Sequence, residues 1–389
     1  MNKTYDRWFL LITFFLLGLG ALMIYSSTAV VSPAMSKKDI TQFFYFKRHL
    51  FTMLLGFAAM FAAYRLRPET LNKITLPLLI FSFLLLVLVF VPGMGISAGG
   101  AKRWLRLWPS TFQPSELVKL SMVIFLAKYM SAYNYRTDSF ISFIKPIGIM
   151  AVFQVIFLKQ PDFGAAISLG IITLAMLFFS GMKLRYLLSM AVFALPVAVN
   201  LIREPYRWKR VTSFLNPWDD PQGSGFQLIQ SFIALGSGGI KGVGLGESKQ
   251  KLLFLPEAHT DFIFSLVGEE LGLIGAGVII FLFVMLFVRG IAATNKAKDS
   301  FVYYLSFGLS IMIALQALIN FSVVTGMIPT KGLPLPFISY GGSSLLVNMA
   351  AVGILLNLSK GEDSERVVGR TKELVMRKKA LRAVYGNKH

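Results

Sequence analysis

The sequence predicts an all-α, polytopic membrane protein with about ten transmembrane helices and a large extracytoplasmic loop between helices seven and eight. Three observations predict it. Of 389 residues, 55% are hydrophobic and only 15% are charged, against about 45–50% and 25% in soluble domains. Apolar runs long enough to span a bilayer recur along the whole chain. The Lys and Arg residues between them concentrate in alternate connections, as spanning helices require.

The first run, about 8–27, exceeds a signal-peptide core of about 7–15 residues and has no A-x-A-like site after it, so it reads as a retained helix. Further spans fall near 49–65, 74–91, 115–131, 145–159, 163–181, 186–202, 262–288, 301–323 and 342–358. Breaks such as RPETLNK, VPGMGISAGG, KQPDFG and TKGLPLPF carry Pro and Gly punctuation. With a cytoplasmic N-terminus, the short inner segments hold 22 of the 39 Lys and Arg, nine of them in the tail. An even number of spans places the C-terminus inside too. The chain divides into one membrane domain, 1–358, and a basic cytoplasmic tail, 359–389, which reads as a membrane-surface segment.

The absence of cysteine excludes disulfides, thiolate nucleophiles and Cys-ligated metals. Three histidines argue against a His-rich metal site. A net charge of +20 fits anionic membrane lipid rather than nucleic acid.

The remaining cations cluster on the side that the positive-inside pattern disfavours. Lys102, Arg103 and Arg106 lie between helices three and four. Trp104 and Trp108 suit a headgroup belt there, and the cations suit either snorkelling or a lipid phosphate. Pro114 and Ser115 mark a helix start with Ser115 as its cap, and Glu116 and Lys119 share a face. In KQPDFG, Asp162 either pairs with Lys159 across a tight turn or faces the other charged groups.

The longest loop, about 203–261, opens with Arg203, Arg207, Lys209 and Arg210 and contains the apolar FQLIQSFIAL. It predicts a folded segment with a short amphipathic helix on the membrane surface. Its GSGGIKGVGLG stretch lacks the phosphate-loop pattern and follows no strand, so it reads as a flexible loop whose backbone could approach a sugar or pyrophosphate. LPEAHTDFIFSLVGEE then places Glu257, His259, Asp261, Glu269 and Glu270 at the mouth of an apolar run. Such charge needs partners or a task. Helix capping alone does not account for Asp261, whereas pairing with cations suits Glu269 and Glu270, and His259 suits a hydrogen-bonding role. PTKGLPLPFISYGGSS, 329–344, predicts an ordered re-entrant turn carrying Lys331, with Ser339, Tyr340, Ser343 and Ser344 as donors to a sugar or caps of the last helix.

Together these groups suit a substrate with phosphate, sugar and lipid parts. Glycosyl transfer from a sugar pyrophosphate needs positive charge on the leaving group. It also needs a carboxylate to take the proton of the attacking hydroxyl, and attack opposite the leaving group inverts the anomeric carbon.

QPSELVK, KQPDFG, EPYRWKRVTSFLNPWDDPQGSGFQLIQS, LPEAHTDFIFSLVGEELG and PTKGLPLPFISYGGSS closely resemble the SEDS family of bacterial shape, elongation, division and sporulation proteins. The resemblance covers about residues 8–358 in motif order, and is stronger to the division branch than to the elongation branch. It implies a ten-helix peptidoglycan glycosyltransferase that polymerises lipid II, an undecaprenyl-pyrophosphate disaccharide-pentapeptide, on the outer face of the cytoplasmic membrane. The family's essential aspartate falls on Asp261, its basic pair on Arg103 and Lys119, and the aspartate of its turn on Asp162. It implies a class B penicillin-binding transpeptidase and other divisome proteins as partners.

The expected site is Asp261 as general base, with Arg103, Lys119, Glu116, Asp162, Arg207, Arg210, Glu257, His259, Lys331 and Ser343 around the substrate. No ligand cluster demands a cofactor, although a divalent cation, Mg or Mn, could assist the leaving charge. A lipid II flippase and a non-catalytic divisome scaffold are the alternatives. A flippase needs polar groups at mid-bilayer depth and on both faces, whereas here they gather on one.

Overall fold

The computed structural model describes residues 5–28, 44–98, 100–107, 110–251, 255, 258–330 and 332–360. In chain order these form α1 (Arg7–Thr28), α2 (Phe44–Arg65), α3 (Pro68–Leu88), β1 (Gly95–Ala98), β2 (Ala101–Leu107), β3 (Ser110–Phe112) and α4 (Pro114–Met130). There follow α5 (Phe140–Lys159), α6 (Phe163–Phe179), α7 (Leu184–Ile202), α8 (Pro205–Leu215), α9 (Phe226–Gly238), α10 (Ile263–Lys296), α11 (Ser300–Val324) and α12 (Gly342–Leu358). The basic tail from 361 onward, Glu257 and Lys331 lie outside the described residues. Among the described helices α1, α3, α5, α10 and α11 are long and apolar enough to cross a membrane, and α6 and α12 are shorter apolar helices.

Proline and caps set several boundaries. Pro68, Pro114 and Pro205 open α3, α4 and α8, where a fixed helical φ helps and the missing N–H is not needed. Asp299 caps α11 through Phe301 N at 2.8 Å. Some helices outrun their apolar runs: α2 begins at Phe44 and α10 continues to Lys296. The hydrogen-bond ladder continues past the apolar run, so Lys47, Arg48 and Arg289 interrupt that run without ending the helix.

At one end of the bundle Arg289 Nε donates to Asp6 at 2.8 Å and Lys128 Nζ donates to Asn72 O at 2.7 Å. Arg136 and Lys183 sit in the short connections there, with Arg65 in the last turn of α2 and Arg185 in the first turn of α7. The opposite end carries the antiparallel sheet β1-β2-β3, where only an interfacial loop was expected, and the segment from α8 to α10. Ahead of α10 that segment holds two α-helices and a 3-10 turn at Pro217–Asp219, where one short helix was expected.

α10 is broken at Gly272, whose φ 66 and ψ −166 are not helical. The freed carbonyls of Glu269 and Glu270 accept from Val243 N at 2.9 Å and Gly244 N at 3.1 Å. The amides of Leu273 and Ile274 donate to Gly239 O at 2.9 Å and Ile240 O at 3.2 Å. The glycine-rich stretch is thus an ordered plug for a helix break, not a flexible loop. Its glycines bring backbone against backbone, Gly242 against Glu270 O and Gly238 against Gly268 O. The two carboxylates pin the same segment. Glu270 accepts from Ser26 Oγ at 2.6 Å and pairs with Lys251 Nζ at 3.4 Å; Glu269 accepts from Lys249 N at 3.0 Å and from Ser248 Oγ.

Gly272→Ala should lower the thermal midpoint in detergent markedly. Its φ/ψ region costs a side chain about 1–3 kcal/mol, and a Cβ would also strike Gly242 N. Gly277→Ala, with open space around its Cβ position, should leave the midpoint unchanged.

Candidate active site

Two amides one turn apart on α11 build the site. Asn320 Nδ2 donates to Asp261 O and to Leu333 O, both at 2.8 Å. Gln316 Nε2 donates to Pro334 O at 2.9 Å and to Ser344 Oγ at 2.8 Å. Tyr340 N adds a bond to His259 O at 2.9 Å. The turn 258–262 and the segment 332–341 are therefore fastened side by side. Leu333, Leu335, Phe337, Ile338 and Ser339 are buried in protein, which allows non-helical backbone at this depth. Gly20 of α1 makes room for the backbone of Phe337 and Ile338.

Asp261 is half-buried, and the N-cap residue of α10 is Phe262 rather than Asp261. Its Oδ2 lies 2.8 Å from where a Cβ at position 332 would stand. The His259 ring packs with Tyr45 and Tyr340, centroids 5.2 and 5.7 Å away. Burial pushes the Tyr340 phenol above its ordinary pKa.

Strand alternation selects one of the three clustered cations. Ala101 and Leu105 of β2 are buried, and Arg103 shares their face, whereas Arg106 is exposed on the other. Arg103 Nη1 lies 3.8 Å from Asp162 Oδ1, with the arginine side chain 26% exposed and the aspartate 2%. Asp162 also caps α6 through Ala165 N at 3.1 Å, and accepts from Gln113 Nε2 at 2.9 Å and Ser115 Oγ at 3.3 Å. It faces the charged cluster, and its ion-pair partner is Arg103 rather than Lys159. The cap of α4 is Gln113, not Ser115, because Pro114 occupies the first helical position.

Glu116 and Lys119 do share a face, and both are buried. Lys119 Nζ donates to Glu116 Oε1 at 2.9 Å and to Gln316 Oε1 at 3.4 Å. The network runs on through Ser344 and Asn348 behind the 332–341 segment. Ser343 Oγ accepts from Gln113 N at 2.8 Å, joining α12 to the sheet side. Arg210 Nη1 donates to Thr330 O at 3.2 Å. Arg207 lies on α8, with its side chain outside the described set, as are Glu257 and Lys331. Sequence reasoning missed Gln113, Gln316 and Asn320. The available signal was two amides at i, i+4 within an otherwise apolar span.

The α8–α9 connection is closed by Asp220. It accepts from Ser224 N at 3.0 Å and Ser224 Oγ at 2.9 Å and pairs with Lys209 Nζ at 3.2 Å. The Ser224 bonds, then Lys209, hold its pKa down to about 2. Among the described residues no three His, Asp or Glu converge to hold a metal ion.

Two outcomes test this arrangement. Lys119→Met strands Glu116 as a buried charge, which typically costs about 3–5 kcal/mol, so the thermal midpoint should fall steeply. Glu116→Gln combined with Lys119→Met should recover most of the loss. A depressed carboxylate contributes stability above its unfolded pKa and loses it as pH falls through the folded one. Amide exchange over 216–225, corrected for intrinsic rates, should therefore stay constant from pH 7 to 5 and loosen only towards pH 2. Asp220→Asn should loosen it already at pH 7.

Known proteins resemble the chain over most of its length. The family model described as "Cell cycle protein", for FtsW, RodA and SpoVE, matches residues 7–364. A protein of Geobacter sulfurreducens named "Probable peptidoglycan glycosyltransferase FtsW" is 44% identical over 92% of this chain and 95% of its own. Stage V sporulation protein E of Bacillus subtilis is 42% identical over 91% of this chain and 97% of its own. A chain from a peptidoglycan synthase complex that coordinates polymerization and crosslinking superposes with TM-score 0.75 at 30% identity, covering 92% of this chain and 99% of that one. The rod shape determining protein RodA of Thermus thermophilus gives TM-score 0.68 at 26% identity, covering 92% and 98%. The chain belongs to the FtsW/RodA/SpoVE family of membrane-embedded cell cycle proteins.

Proposed function

We propose that this chain is a peptidoglycan glycosyltransferase that polymerises lipid II at the outer face of the cytoplasmic membrane during division. The observation that carries the reading is the placing of Asp261. A half-buried carboxylate stands on a turn fastened by Asn320 and Tyr340, at the same end of the bundle as Arg103 and Asp162. The relatives named FtsW are 41–45% identical over most of the chain, which favours the division type over the elongation type.

In this reading Asp261 takes the proton of the GlcNAc 4-hydroxyl as its oxygen attacks the MurNAc C1 of a second lipid-linked chain. The C1–O bond to the diphosphate breaks on the opposite face, so the anomeric centre inverts. Arg103, partly exposed and already turned towards the site by Asp162, steadies the departing diphosphate, and Arg207, Arg210 and Lys331 add positive charge along its path. Lys119 and Glu116 act behind the site by holding α4 to α11. A divalent cation, Mg or Mn, would be held mainly by the substrate diphosphate, as Mg commonly is.

The basic end of the bundle faces the cytoplasm with both termini, and the Asp261 end faces outward. A class B penicillin-binding transpeptidase is the partner suggested by the likeness to the synthase-complex chain, and further divisome proteins would place the pair at the septum.

Asp261→Asn, purified with its transpeptidase, should lose about 10²–10⁴-fold in lipid II polymerisation, the usual loss of a general base. Partner binding and thermal midpoint should be unchanged. Polymerisation at the wild-type rate would remove Asp261 from the mechanism, and translocation of lipid II by a wild-type complex that does not polymerise would mark a carrier instead.

A further inference from the structure

Gly332 does not need to be glycine for its backbone, because its φ lies outside the left-handed region. Nor does general packing require it. Among the described residues a Cβ at position 332 would meet one group only, the Asp261 carboxylate, with Oδ2 at 2.8 Å and Cγ at 3.7 Å. The first distance is closer than a carbon and an oxygen ordinarily approach, so the side chain of Asp261 occupies the space a Cβ would fill. Both backbones are fixed. Asn320 holds Asp261 O and Leu333 O at 2.8 Å each, and Tyr340 holds His259 O at 2.9 Å. A methyl group at 332 therefore cannot be relieved by sliding the two segments apart without breaking those bonds. The carboxylate, which turns on single bonds, is the part that gives way.

We propose that Gly332 is a positioning residue for Asp261: its missing side chain sets where the carboxylate rests, and the Asn320 amide keeps that space at a fixed distance. This rests on the reading of Asp261 as general base. A base must stand within about 2.6–3.2 Å of the proton it takes, and a displacement of about 1 Å can cost on the order of 100-fold. A methyl at 332 changes no charge and removes no hydrogen-bond donor, so its effect is expected in kcat rather than in KM.

The test compares wild type, Gly332→Ala, Asp261→Asn and the double variant, each purified with the transpeptidase partner and assayed with lipid II. Gly332→Ala should lower kcat by about 10- to 100-fold with KM and thermal midpoint unchanged. The double variant should be no slower than Asp261→Asn alone, because the methyl acts only through the acid. Gly332→Ser carries the same Cβ and repeats the test should the alanine variant fold poorly. Wild-type kcat in either variant would overturn the inference, as would a double variant slower than Asp261→Asn by the full Gly332→Ala factor. A wild-type rate for Asp261→Asn would instead bring down the base assignment itself. An inactive Asp261→Asn beside a fully active Gly332→Ala would sink the positioning role and leave the base in place.

Discussion

Everything in this bundle answers to one constraint: a backbone N–H or C=O within apolar surroundings must find a partner inside the protein. Where the chain stays helical the ladder meets it. At the Asp261 end the chain leaves the helix, and there backbone groups freed among the described residues are met from neighbouring segments. Glu269, Glu270, Leu273 and Ile274 are paired by the glycine-rich stretch at the break in α10. The carbonyls of Asp261, Leu333 and Pro334 are met by two α11 amides. The site's geometry follows from this constraint, because the groups that satisfy the backbone also set the distance between the acid and its surroundings.

The buried charges obey a related rule. Burying a charge is costly and is offset only by a close partner. Glu116 with Lys119, and Glu270 with Lys251 and Ser26, are complete pairs that register helices and plug against each other. Asp162 is different. Its carboxylate is nearly sealed, yet the arginine beside it keeps 26% of its side chain exposed. A cation oriented from behind by a buried acid and open in front is the arrangement an anionic substrate group needs, and β2 delivers it by alternation alone.

Much of the architecture was legible because hydropathy and Pro/Gly punctuation report the same physics that folds a membrane helix. The Glu116–Lys119 pair and the buried turn at 332–341 were readable from spacing. Charge density marked five candidates and set Asp261 apart because capping did not account for it, while its role as the essential acid came from the family's motifs. Three things stayed hidden. The sheet at 95–112 is too short to show a strong alternating pattern. The helix break at Gly272 follows Glu270 by two residues at the mouth of an apolar run, where the glycine itself carries little signal because glycine is common in membrane helices. The amides Gln316 and Asn320 look like tolerated polar residues until the carbonyls they meet, from segments 13 to 59 residues away for Asn320, are folded beside them.

Those amides also explain how an acid can be held well from a turn. A carboxylate on a loop would ordinarily wander, and catalysis loses steeply with small misplacement. Here the turn is tied to a long, well-packed helix through one side chain that binds both walls of the site at once. Asn320 uses both N–H groups of a single amide on two carbonyls, so the separation of the walls is fixed by the width of that amide rather than by loop packing. A hydroxyl, with one proton to give, could bind one wall only, and a carboxylate would repel both carbonyls. The position requires a neutral two-donor group of short reach, and asparagine is the residue that supplies it.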